Sequence, residues 1–130
     1  MRADAGGRRL VRALAVVGIV FGALSMVAGS RVLAGLDHPD YVVLPWLVVY
    51  NVAAGAVGVV AGTGVWLWRR WGVTAASGLA GAHAAVLVWL VAMRLMGEAV
   101  ATDSLAAMSL RAIVWLAIAG VAQRKVERET

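Results

Sequence analysis

The chain has 130 residues, of which 62% are hydrophobic and 15% charged, with a formal net charge of +5. Soluble domains carry about 25% charged residues and have too little interior at this length to hide so much apolar surface. Composition therefore excludes an ordinary soluble domain. The absence of cysteine excludes disulfides, thiol catalysis and thiolate metal sites.

The first apolar run spans about residues 10–29, with Arg2, Arg8, Arg9 and Arg12 before it or at its start. Its Gly18, Gly22, Ser25 and Gly29 recur at intervals of four, three and four, which places them on one helical face. A basic segment before an apolar stretch ending in Val27-Ala28-Gly29 also has the outline of a signal peptide. The run exceeds the 7–15 residues typical of such an apolar region, so a retained span is expected.

The linker SRVLAGLDHPDYVVL contains a turn at Asp37-His38-Pro39-Asp40. A solvated turn accounts for these residues, and a loose cation site on Asp37, His38 and Asp40 is the alternative. The second run covers about 45–68, with Asn51 as its strongly polar side chain. Asn51, Gly55, Gly58 and Gly62 repeat the four-three-four spacing. Small residues on one face let helix backbones approach closely within lipid. Gly62-Thr63-Gly64 lacks the lysine and the strand-loop-helix context of a phosphate loop.

Arg69 and Arg70 lie in a short connection to the third run, about 74–93. Gly78 with Ala82, and Gly81 with Ala85, are expected to serve helix packing there as well. His83 lies near the middle of this run. An imidazole at that depth must face the bundle or a polar cavity. A hydrogen bond to Asn51, a serine or a carbonyl is the structural reading, and a haem, metal or proton-transfer role is the functional alternative. No second histidine or carboxylate within the runs completes a metal site.

The fourth run covers about 105–122, preceded by Thr102 and Asp103 as candidate helix caps. Arg111 enters this run. It is expected to snorkel outward or to pair with Glu98, Asp103 or Asp40, with Asn51 as acceptor. An anion, a lipid headgroup or a quinone carbonyl is its functional alternative. Tyr50 and Asn51 are consecutive on a helix, so only one of them is expected to join a given site.

Each run is near the length of about 20 residues that crosses a hydrocarbon core. Short connections favour antiparallel neighbours. The fold class expected is all-α: one integral membrane antiparallel four-helix bundle covering residues 1–130. Nine of the twelve basic residues fall before or at the start of run one, between runs two and three, or after run four. That bias predicts cytoplasmic termini. Tyr41, Trp46 and Tyr50 cluster near one end of run two, with Trp66, Trp68 and Trp71 near the other, as in interfacial aromatic belts. With no basic groove interleaved with aromatics, nucleic acid is not expected as a partner.

PWLVVYNVAAGAVGVVAGTGVWLWRRW together with AMSLRAIVWLAIAGVAQR resembles small, uncharacterised bacterial membrane proteins, loosely DoxX-like. The resemblance rests on Tyr50, Asn51, Gly55, Gly62, Gly64, Trp68, Arg69, Arg70, Met108, Leu110, Arg111 and Trp115, within segments covering a little over one third of the chain. It implies four spans in a bacterial inner membrane and carries no catalytic residues. Small multidrug exporters share only the size, because no Asp or Glu lies in these apolar cores.

Many packing residues and few reactive ones point to a non-enzymatic assembly, anchoring or accessory subunit of a membrane complex. The alternative is a binding or transport module for a small apolar ligand, such as a lipid or quinone. It would use an outer-leaflet pocket with Arg111, Asn51, His83 and Tyr50. The partners expected are the bilayer, a second copy or another membrane protein. No cofactor is assigned beyond the haem and quinone alternatives.

Overall fold

The computed structural model describes residues 5–129. Arg2, part of the charge bias above, lies outside them. Four helices follow in order: α1 Ala5–Leu33, α2 Pro45–Trp66, α3 Arg70–Leu95 and α4 Thr102–Glu129. No strand occurs among the described residues. Helices α1, α3 and α4 extend beyond the apolar runs at both ends, because flanking polar residues continue the helix where the apolar pattern has stopped. All four are long and apolar enough to cross a membrane. Even the shortest, at 22 residues, reaches about 33 Å at 1.5 Å per residue.

Each helix runs antiparallel to its neighbours. Arg12 of α1 stacks on Trp66 near the end of α2, while Gly29 of α1 meets Val52 near its start. Gly64 of α2 abuts Gly72 of α3, and Tyr50 of α2 reaches His83 of α3. The most extensive contacts are α1 on α2 and α3 on α4, and the thinnest seam that closes the bundle is α1 on α4. The start of α1 and the end of α4 lie at one end, where Val11 and Val126 share a core cluster with Val65 and Val73. The connections 34–44 and 96–101 lie at the other, called here the loop end.

Three helices stop in the same way. Leu36 N–H donates to the Arg31 carbonyl, Arg69 N–H to Gly64 and Glu98 N–H to Met93. A 5→2 bond to the next carbonyl accompanies each, and the intervening residue is left-handed. Glycine takes that position at Gly35 and Gly97 (φ 74° and 87°), but Trp68 takes it after α2 at φ 57°. A left-handed residue with a Cβ costs about 1–2 kcal/mol. Packing of the Trp68 ring against the main core offsets that cost. The start of α4 differs from the expected cap: Thr102 is its first residue, and its hydroxyl accepts from Arg94 Nη1 at 3.2 Å. Asp103 falls in the first turn, where its charge favours the helix dipole.

Glycines set the α1–α2 distance. A Cβ built on Gly22 would fall 2.5 Å from the Gly55 carbonyl oxygen, and one on Gly55 would fall 2.6 Å from that of Gly22. Gly62 faces the α1 backbone at Ala15 and Ile19, and Gly29 faces Val52. Gly18 and Gly58 instead lie against the indole of Trp115, which is 2% exposed. Two missing side chains make the room that one large ring fills. Gly78 and Gly81 depart from expectation. They lie on the outward face of α3 with no atom within 4 Å of a Cβ position, so they pack nothing within this bundle. Their spacing resembles that of the packing glycines, but their face points away from the other helices.

In the α1–α2 loop, Arg31 Nε and Nη2 donate to both carboxylate oxygens of Asp37 at 2.8 and 2.9 Å. This pairing answers the cation-site alternative, because Arg31 engages both Asp37 oxygens. The Arg31 hydrogen bonds hold the Asp37 carboxyl below its usual range. A carboxylate depressed in the folded state stabilises it above the ordinary carboxylate pKa. That contribution disappears as pH falls through the lowered value. Protection of the Leu36 and Asp37 amides, relative to their intrinsic exchange rates, is therefore expected to fall below about pH 4. Asp37→Asn should show the lower protection at every pH.

Candidate polar site within the bundle

The interior is apolar except at one level. Cluster one runs along most of the bundle and includes Val11, Ala61, Val65, Trp115 and Ile118. Cluster two, nearer the loop end, comprises Leu47, Leu90, Val100 and Met108. Tyr50 packs against both. At this junction four polar side chains from three helices converge: Tyr50 and Asn51 of α2, His83 of α3 and Arg111 of α4.

His83 is 2% exposed. Its Nδ1 lies 3.0 Å from the Tyr50 hydroxyl, and the two rings meet edge to face with centroids 5.7 Å apart. The partner is thus Tyr50, not Asn51, a serine or a backbone carbonyl. The hydroxyl bonds the ring nitrogen in either of two ways, according to which atom carries the proton. Tyr50→Phe is expected to lower bundle stability by about 1 kcal/mol, since interhelical hydrogen bonds in membranes average about 0.6 kcal/mol and reach about 1.7. Denaturant titration in bicelles measures it.

Asn51 and Arg111 are unpaired where it matters. Asn51 Oδ1 and Arg111 Nε are buried and have no hydrogen-bond partner. Both line one cavity, together with His83, Ser25, Phe21 and Trp115. About 10 Å³ of it admits the centre of a water-sized sphere, room for one water. Arg111 also lies within electrostatic range of Tyr50, Tyr41 and His83.

Two expectations are corrected here. Among the described residues, Arg111 makes no ion pair with Glu98, Asp103 or Asp40. It turns into the bundle at a level where α1, α2 and α3 offer no carboxylate. And the neighbours Tyr50 and Asn51 both join the site. Their directions differ, but the long phenol reaches across to α3, while the short amide stays beside α1 and α4. Gly22 and Gly55 line the same cavity, so the α1–α2 backbone crossing forms part of the site wall.

Tyr50 engages the His83 Nδ1, which leaves Nε2, and the free space in the adjoining cavity is about 10 Å³. No group of three or more potential metal-ligating residues occurs among the described residues.

Comparison with family models, with curated proteins and with solved structures found no match. The site must therefore be interpreted from its own chemistry. An arginine without a carboxylate is a donor and a fixed positive charge in apolar surroundings. Asn51 presents its acceptor Oδ1 to the same cavity, and its amide adds donors there when turned over. The pair is suited to bind an oxygen acceptor.

Proposed function

We propose that this protein is a multi-pass protein of the bacterial inner membrane, with both termini cytoplasmic. Its polar site binds the oxygen-bearing head of a membrane-resident amphiphile, of the lipid or quinone class. The membrane reading is supported by four apolar helices whose outward faces carry Leu24, Val88, Leu95, Ile113 and Leu116, all more than half exposed. An apolar outer surface of this kind needs a bilayer around it.

The binding reading is carried by one observation: Arg111 Nε and Asn51 Oδ1 are buried, unpartnered and on the same cavity. Intramembrane charge without an internal partner is costly and is characteristic of functional sites. Native mass spectrometry of protein released from native-membrane nanodiscs tests it. A reproducible small-molecule adduct, lost in Arg111→Ala and Asn51→Ala, is expected. Wild-type protein without any adduct would remove the reading.

A second reading, an assembly or anchoring subunit, has its own support in Gly78 and Gly81. Their open outward face on α3 would admit a close helix from another chain. The glycines of α1 and α2 do not argue for it, because their partners lie within this bundle. If assembly uses the α3 face, Gly81→Leu should change the oligomer mass or lose a co-purified subunit, while the adduct stays.

A further inference from the structure

Asn51 borders two cavities. One is the Arg111 cavity. The other lies at the loop end, under residues 39–44, lined by Pro39, Tyr41, Val43, Val48, Ser104 and Asn51 among others. By the same measure it is about 60 Å³, several times the space beside Arg111. The Asn51 amide is thus a shared wall between a loop-covered antechamber and the unpartnered guanidinium. Tyr41 lines the antechamber and is also in electrostatic range of Arg111.

We infer that the Arg111 site takes a compact oxyanion, a phosphate or carboxylate group, which reaches it from the loop end through the cavity under residues 39–44 and past Asn51. This rests on the binding reading above and narrows it. A neutral quinone carbonyl would satisfy the donors but not the charge. The charge is the stronger demand, because no carboxylate closes on Arg111 and the apolar walls strengthen its field. Clefts lined by one sign of charge raise the local concentration of the opposite ion. The space beside Arg111 admits a single oxygen atom, and the antechamber admits the rest of a small head but not a ring system. The same oxyanion chemistry is offered by a lipid headgroup seated at the loop end and by a free anion.

The chain contains no cysteine, so a single introduced thiol reports alone. Asn51→Cys puts it on the shared wall, and Ser25→Cys, nearly isosteric, puts it within the Arg111 cavity if the first variant misfolds. In phosphatidylcholine nanodiscs, an anionic methanethiosulfonate should modify either thiol about tenfold faster than a cationic one, after normalisation to exposed Asp40→Cys. Arg111→Gln should abolish that preference. Val43→Trp, which fills the antechamber from the loop, should slow labelling about tenfold, whereas Val88→Trp on the exposed outward face of α3 should not.

Protection by inorganic phosphate would support a free anion as the source. Protection only when phosphatidylglycerol is present would support a headgroup. Protection by neither, or no charge preference, overturns the oxyanion assignment. Labelling indifferent to Val43→Trp overturns the route. Both results are separable from the adduct experiment, which can still show a neutral ligand at Arg111.

Discussion

Gly22→Leu is expected to lower the stability of the bundle by about 3 kcal/mol or more, the upper range for overpacking a core. The reason is geometric. Even a methyl group on Gly22 would meet the Gly55 carbonyl oxygen at 2.5 Å and the Val59 nitrogen at 2.9 Å. Those are backbone atoms, and no rotamer change moves them aside. The α1–α2 pair would have to separate, and the Trp115 ring seated between Gly18 and Gly58 would lose its fit. Gly55→Leu should behave the same way, because the contact is reciprocal. Gly78→Leu and Gly81→Leu provide the contrast: both point into open space and should stay within about 0.5 kcal/mol of wild type as isolated protomers. Unfolding titrations in bicelles decide the matter. Equal losses at Gly22 and Gly78 would mean that the crossing does not set Gly22 apart, since leucine has the higher helix propensity at both positions.

That contrast shows how far the sequence can be read. The four apolar runs predict four helices because span length and composition are local properties, and α2 begins at the expected Pro45. The four-three-four spacing of Asn51, Gly55, Gly58 and Gly62 correctly places them on one face. The direction of a face is not local. Gly78 and Gly81 on α3 have similar spacing to the glycines of α1 and turn outward, since the neighbours of α3 bind its other faces. The Gly64–Gly72 contact has no signal in the spacing. It depends on how tightly the chain turns between the two glycines, and that turn depends on Trp68 adopting a conformation usually left to glycine.

At the site, the residue types are legible in the sequence but their partners are not. A buried histidine, asparagine and arginine in apolar runs are each conspicuous. Which of them meet depends on helix rotation and side-chain reach. Tyr50 belongs in sequence terms with the interfacial aromatics, yet its hydroxyl lies against His83 in the interior. Arg111 has acidic candidates in both loops, but among the described residues none lies within ion-pair distance.

The missing partner makes the sign of one substitution diagnostic. Arg111→Met should raise the stability of the ligand-free bundle by about 2–3 kcal/mol, the scale of placing arginine at the centre of a membrane helix. Met fills similar length without a charge, and in the unfolded chain Arg111 is free to extend its charge to water, so the cost belongs to the folded state. An arginine held in a buried ion pair behaves oppositely: removing it strands the partner and destabilises by about 3–5 kcal/mol. Ligand retention should move against stability, because the same substitution removes the group that holds the adduct. A more stable protein that has lost its adduct would mark Arg111 as a charge kept for binding at the expense of the fold. A less stable one would mean that Arg111 holds the helices together, and the unpartnered Nε would then have to gain its acceptor from within the chain.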